Sequence, residues 1–391
     1  MLSRRKATVS KAVALSAALG IVAAACSSGG GGTSTGGGGS SGSGTSTTGS
    51  NTAACNAAKP FLSAPKTIPL NVPLTKKPPT GKTIVITQNP EAVTLKTNTG
   101  FTQAAHMLGW TVKYVNVGTS AQGPQQALSA ALQLHPSAIG QSGNPVSLFR
   151  SQLATAAKAN VPVLMNDNGS PAPGKYGPLY EIGLDSDSQT GLWGKMTADY
   201  AACHGAKSVL VVDLPLYPIL HAYSEGVVTE LKRVAPSVKS QIMTTQITDL
   251  AGGAIPGKVV SAIQQNPSIN WVLFCLGDMT TGLNAALRNA GLSSKVQVGG
   301  ESASTANIQE LKNKQDAVWT GFAAVIHGFY RADALARIFN GQSLAPDNTS
   351  QLPTQLLTQQ NINSAPLDSS GYYEAYTNYA SYFANLWKIN G

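Results

Sequence analysis

From residue 82 onward, short runs rich in β-branched residues alternate with stretches of helical period, and the alternation passes along the chain twice. Brief apolar runs suit strands buried on both faces, and strand–helix alternation supplies the crossovers that make a sheet parallel. The first series is "TIVIT" (83–87), then Phe101, Ala104, Ala105 and Leu108 at helical spacing, then "TVKYVNV" (111–117) and a helix through Ala127, Ala130, Ala131 and Leu134. It closes with "SAIGQ", a helix through Phe149, Leu153 and Ala156, and "VPVLM" (161–165). The second opens with Trp193, Met196, Tyr200 and Cys203 on one helical face and continues through "SVLVV" (208–212), "KSQIMTTQ", "NWVLFCLG" and "KVQVGG". An α/β protein of two Rossmann-like lobes with parallel sheets accounts for both series. At 391 residues, 42% of them hydrophobic, the chain is long enough for two such cores. Parallel strands end toward the crevice where such sheets bind ligands, which places Asp167, just beyond "VPVLM", at a ligand-facing edge.

The N-terminal flank reads differently. "MLSRRKATVSK" is a basic n-region and "AVALSAALGIVAAAC" an apolar stretch too short to span a membrane comfortably, so residues 1–25 are expected to be a signal peptide. "VAAAC" resembles a bacterial lipobox, which makes Cys26 the expected lipid acceptor; two or more acyl chains form a stable anchor where one is marginal. Residues 26–58 are expected to be a Gly/Ser/Thr-rich tether, because that composition buries too little apolar area to offset its ordering entropy. The Pro-rich residues 59–81 read as an extended arm. In an oxidising compartment Cys55, Cys203 and Cys275 leave an odd thiol. Cys275 sits in a buried strand, Cys55 in the preface and Cys203 near a helix end, so Cys55–Cys203 is the expected disulfide.

Several chemistries find no support. The net charge of +9 includes the leader's basic residues, and no Lys/Arg run follows the tether, which argues against a nucleic-acid partner. "PPTGKT" has Lys76 where a phosphate loop needs glycine and precedes its strand instead of following it. "GQSGN" places Ser142 like a nucleophile elbow, but Asn144 occupies the second glycine position. The five histidines and the cysteines lack metal-ligand spacing, so neither metal nor cofactor is expected. Near the C-terminus Tyr372, Tyr376, Tyr379, Phe383 and Trp387 fall on one helical face, read as a terminal helix docked on its own lobe.

The order "KTIVITQNP", "GFTQAAHMLGWTVKYVNV", "SAIGQSGNP", "ANVPVLMNDN", "YEIGLDSDSQTGLWGKMTADYAA", "YSEGVVTELK", "NPSINWVLFCLGDMTTGLNAAL" and "KVQVGGES" resembles the ribose-binding-like periplasmic binding proteins over about residues 82–345. The resemblance implies type I architecture, with crossings near Leu184–Asp185, Gly321–Ala323 and Leu352–Leu357. It divides the chain into an N-terminal lobe, 82–184 plus 323–352, and a C-terminal lobe, 185–321 plus 353–391 with the terminal aromatic helix. It implies a monomeric, non-enzymatic binder that closes on a small polar solute such as a sugar and docks on an ABC permease.

The family's ligand groups transfer unevenly. Its acid after the fourth strand matches Asp167, followed by Asn168 where an arginine is usual; its early Asn-Pro matches Asn89 and Pro90, with Glu91 in place of stacking aromatics. Asn144 matches the polar residue of the third loop, His221 aligns with an arginine, Asp278 with the Asp of an Asn-Asp, Glu301 with a later Asp, and Phe322 with a hinge-proximal polar residue. Asp167 also reads as a turn cap, Glu301 as a helix cap and His221 as a helix start, while Tyr217 and Tyr223 stand close enough in sequence to supply stacking. The departures remove bidentate donors, which weakens a pyranose assignment. A ligand sensor for a membrane receptor and a secreted hydrolase using Ser142 remain the alternatives.

Overall fold

The computed structural model describes residues 48–167, 179–181 and 187–389. The leader, Cys26, most of the tether, Asn168 and the crossing expected at Leu184–Asp185 lie outside the described residues. Helix α1 (Thr48–Ala58) precedes β1 (Thr83–Gln88), α2 (Ala92–Met107), β2 (Thr111–Asn116), α3 (Gly123–Gln133), β3 (Ala138–Ser142), α4 (Arg150–Lys158), β4 (Val163–Asn166) and β5 (Leu179–Glu181). The second series is α5 (Asp187–Cys203), β6 (Ser208–Asp213), α6 (Pro218–Val234), β7 (Lys239–Thr244), α7 (Ile247–Ala251), α8 (Ile255–Gln265), β8 (Trp271–Phe274), α9 (Leu283–Asn289), β9 (Gln297–Gly300), α10 (Thr305–Lys312) and β10 (Val318–Gly321). Then come α11 (Ala324–Asn340), α12 (Ala345–Thr349), β11 (Gln355–Thr358) and α13 (Tyr379–Leu386).

The strands form two sheets, ordered β2-β1-β3-β4-β5 and β11-β10-β9-β8-β6-β7. Every pair is parallel except β10–β11. β1 lies between β2 and β3, with Ile84 opposite both Val112 and Ala138, and it is fully buried through Ile84, Val85 and Ile86. This is the doubly wound α/β architecture that the two series of runs imply.

After β10 the chain returns to the first sheet. Helix α11 packs on α2 and β4, and α2 crosses it through glycine: a Cβ on Gly100 would lie 2.2 Å from the Val325 carbonyl oxygen, and one on Gly328 2.2 Å from the Phe101 nitrogen. β11 then rejoins the second sheet, antiparallel to β10.

Both ends depart from expectation. The tether does not extend to residue 58, because residues 48–58 form α1, which packs on α5 with Ala54 and Ala58 buried. Alanines 53, 54, 57 and 58 supply helix propensity and an apolar edge. A disulfide joins Cys55 to Cys203 at the end of α5, with Cα atoms 4.8 Å apart, and Cys275 is a buried free thiol. The arm is not extended from its start: Lys59–Leu62 form a turn of 3-10 helix, with Pro60 in its first turn, and only the rest runs without helix or strand, with Ile68, Leu70 and Leu74 buried; Leu62 O accepts from Gln355 Nε2 (3.0 Å) in β11, and Leu70 N donates to Tyr330 Oη (3.1 Å) on α11.

The expected C-terminal helix is shorter and docks elsewhere. Residues 371–376 are not helical: Gly371 has φ +87°, and Leu367 and Tyr373 form an antiparallel bridge. α13 packs on α11 of the first lobe, where Phe329 meets the rings of Tyr379, Phe383 and Trp387 and Trp387 Nε1 donates to Asp333 Oδ1 (2.7 Å). The final segment therefore closes over α11, where aromatic rings from both helices pack together, and not over the sheet that contributes β11.

Candidate functional site

The carboxyl ends of the two sheets line one cavity. From the first lobe come Asn89 and Glu91 after β1, Gly143 after β3 and Asp167 after β4; from the second come Leu276 after β8, Glu301 and Ser302 after β9, and Phe322 after β10. Helices close the sides with Thr97 on α2, Trp193 on α5, Leu220 on α6, and His327 and Arg331 on α11.

Local backbone geometry aims the strand-end groups inward. Asp167 has φ +58° and Ser302, next to Glu301, has φ +54°. Left-handed backbone is uncommon for residues with a Cβ and costs of order 1 kcal/mol each, so its occurrence at two strand ends facing one cavity marks positions held there by their surroundings. Ser302 N is fixed by Thr320 Oγ1 at 3.0 Å. Gly143, at φ +74°, turns the loop after β3 against the Tyr217 ring, 3.5 Å from where a Cβ would stand.

The lobes meet across the cavity rim. Tyr217 Oη donates to Glu91 Oε1 at 3.3 Å, and Asp278 Oδ2 accepts from Ala92 N, the first residue of α2, at 2.9 Å. An anion at a helix N-terminus is favourable, so Asp278 acts as a cap on the opposite lobe. These two contacts link the lobes at the rim.

Charged groups inside are only partly satisfied. Arg331, 1% exposed, donates from Nη1 to Asn98 Oδ1 (3.1 Å) and stacks over Phe101, but its Nε and Nη2 have no partner among the described residues. Burial lowers its pKa and the Asp167 carboxylate opposes that shift. His327 Nε2 lies 3.4 Å from Asp167 Oδ1, and burial pushes this imidazole down to about 4, so it is neutral at pH 7. Glu301, also 1% exposed, makes no side-chain hydrogen bond among the described residues, and burial raises its carboxyl well above the usual range. Glu91 is raised as well, by burial first. Buried polar groups are almost always paired, so unpaired ones of opposite sign around one cavity fit a ligand that supplies their partners.

The sequence profile of the periplasmic binding protein domain matches residues 84–343. The chain belongs to the periplasmic binding protein family. As a periplasmic binding protein it shares its fold with solved ABC transporter components. A carbohydrate transporter protein from Acidothermus cellulolyticus in complex with myo-inositol is 18% identical, with a TM-score of 0.61 over 73% of this chain and 96% of that one. A 5-methylthioribose transporter solute-binding protein from Thermotoga lettingae is 16% identical, with a TM-score of 0.63 over 82% and 100%. A solute-binding protein from Actinobacillus succinogenes with bound D-allose is 15% identical, with a TM-score of 0.61 over 72% and 99%. No curated protein sequence matches the chain.

In this periplasmic binding protein the structure gathers Asn89, Glu91, Asp167, Glu301 and Phe322 around the cavity. Three other candidates are placed differently. His221 does not line the cavity; it is half exposed and its Nδ1 pairs with Asp213 Oδ2 at 2.8 Å, an acid at the end of β6. Asp278 spends its carboxylate on Ala92 N at the rim. Asn144 stands behind the lining, donating to Asn89 Oδ1 at 3.0 Å and so orienting that residue. Tyr217 lines the cavity, whereas Tyr223 is buried in the core against Thr197.

His327 and Arg331 are cavity-lining residues that sequence reading missed. They stand four apart on α11, one above the other on one helix face. A histidine and an arginine at that spacing in an apolar helix between two strands is the available signal.

Proposed function

We propose that the protein is a lipid-anchored, extracytoplasmic solute-binding component of an ABC importer, with no chemistry of its own. It captures a small polar molecule, a sugar or sugar-like compound, between its lobes and presents the closed form to a permease. The carrying observation is the cavity between two sets of strand ends, walled by both lobes and lined by Glu301 and Arg331, whose Glu301 Oε2 and Arg331 Nε and Nη2 have no partner among the described residues. Myo-inositol, 5-methylthioribose and D-allose in the structural relatives set the solute class to try first. Cys26 would carry the lipid and the Gly/Ser/Thr segment after it the reach from the membrane.

Asp167 accepts ligand hydroxyls, Arg331 donates beside it, Asn89 and Glu91 contact the ligand from the first lobe, and Glu301 and Phe322 from the second. A thermal-shift screen of sugars, polyols and their derivatives tests this, because a ligand bound only by the folded state raises Tm by mass action. Asp167→Ala should weaken the best hit about tenfold or more, since it leaves Arg331 buried without its charge partner. An unchanged affinity would remove Asp167 from the site, and the absence of any hit among neutral and charged polyols would refute the solute reading.

A further inference from the structure

Resting on that solute-binding reading, we infer that the recognised solute is a polyol bearing a protonated amine, with its ammonium group seated against Glu301. The inference comes from an imbalance within the cavity wall. Three carboxyl groups, Glu91, Asp167 and Glu301, face one guanidinium, Arg331. Arg331 and Asp167 act on each other, so the charge at the first lobe's floor is balanced there.

Among the described residues the other two acids have no basic partner. Glu301 lies near enough to Tyr223 and Cys275 to act on both electrostatically, and each of these turns anionic on losing a proton. Glu91 faces Asp278 and the Tyr217 hydroxyl. Each lobe therefore brings to the cleft an acid without a basic partner among the described residues, Glu91 from the first and Glu301 from the second, in a chain whose net charge is +9. A neutral polyol can accept hydrogen bonds from a protonated Glu301 or donate to an ionised one, but it leaves the ionised form uncompensated in a desolvated site. An ammonium ion compensates it and uses the three donors that a carboxylate accepts. The Phe322 and Trp193 rings on the same wall, packed edge to face at 5.9 Å, add surface that favours a cation over a hydroxyl.

Matched pairs test this directly: D-glucosamine against D-glucose, and an aminodeoxy-inositol against myo-inositol, titrated calorimetrically into the mature full chain at pH 7. The expected result is at least tenfold tighter binding of the amine in one pair. Glu301→Gln, which keeps shape and removes the charge, should then lower amine affinity about thirtyfold, or about 2 kcal/mol at 1.4 kcal/mol per decade. Glu91→Gln should lower it less and serves as the second variant if the first fails to fold. Equal or tighter binding of the neutral member, or an amine preference that survives both variants, overturns the inference and leaves the solute-binding reading standing. If no member of either pair binds and no polyol stabilises the fold, both readings fall.

Discussion

Cutting the Cys55–Cys203 bond should lower the melting temperature by several degrees, and the size follows from where the bond sits. It links α1 to the end of α5 across a sequence separation of 148 residues. Closing a loop that long removes about 5 kcal/mol of entropy from the unfolded chain in the loop-closure treatment, while native disulfides more typically deliver about 2–4 kcal/mol. A folded part of this size carries an unfolding entropy of roughly 0.7 kcal/mol per kelvin, so the expected drop is about 3–7 °C. Calorimetry of Cys203→Ser, Cys55→Ser and the double variant measures it. Both single variants lose the same bond, so the double variant should melt no lower than either single one beyond the loss of a side chain. Cys275 is buried and burial raises its thiol pKa, which keeps it out of exchange with a freed partner. Single variants within 1 °C of the wild type, or additive drops in the double variant, would refute the unfolded-state argument.

Two further outcomes concern α11. The His327 imidazole is pushed down to about 4 by burial, whereas in the unfolded chain it titrates near 6.5, so below pH 6.5 the unfolded state takes the proton first. The stability it contributes is complete above that pH and is lost as pH falls toward 4; urea unfolding should show the wild-type advantage over His327→Asn shrinking by about 2 kcal/mol between pH 7 and pH 5, and a constant difference refutes it. At the α2–α11 crossing, Gly100→Ala should destabilise by about 2 kcal/mol or more because its Cβ would lie 2.2 Å from a backbone oxygen, while Gly257→Ala on α8, with nothing within 4 Å, should stabilise by about 0.5–1 kcal/mol. Equal effects of the two in the same denaturation assay would contradict that close approach.

Strand positions were legible because parallel strands buried on both faces are written as unbroken apolar runs: "TIVIT", "SVLVV" and "NWVLFCLG" each lie in or across an observed strand. The strand-end acids were legible for the same reason, since a parallel topology fixes which ends face the crevice, and Asp167 and Glu301 follow β4 and β9 directly. His221 misled because its place early in α6, after β6, is also a crevice-facing position; the deciding factor was Asp213, a buried acid 2.8 Å away that could be recognised only once β6 and α6 were packed. The ends were harder. Composition cannot mark where a Gly/Ser/Thr segment stops being free, and α1 depends on a partner helix and a disulfide more than 140 residues away.

Those two ends also explain why Arg331 escaped notice. An arginine in a helix ordinarily marks a solvent face, yet every residue of α11 from Ala324 to Arg337 is buried. One face of α11 presents His327 and Arg331 to the cavity; another carries Asp333 and Arg337, which pair at 2.7 Å and bind the added segments through Trp387 Nε1 on Asp333 and the Val72 carbonyl on Arg337. The arm and α13 thus cover the back of the helix whose front supplies the cleft's guanidinium. Without them much of the polar back would face water and α11 would rest mainly on α2, β4 and α12, whose Asp347 Oδ2 lies 3.0 Å from Arg337 Nε. The terminal additions belong to the binding apparatus in this sense: they make an interior helix out of one that sequence reads as half exposed, and an interior helix can hold a desolvated arginine in place beside Asp167.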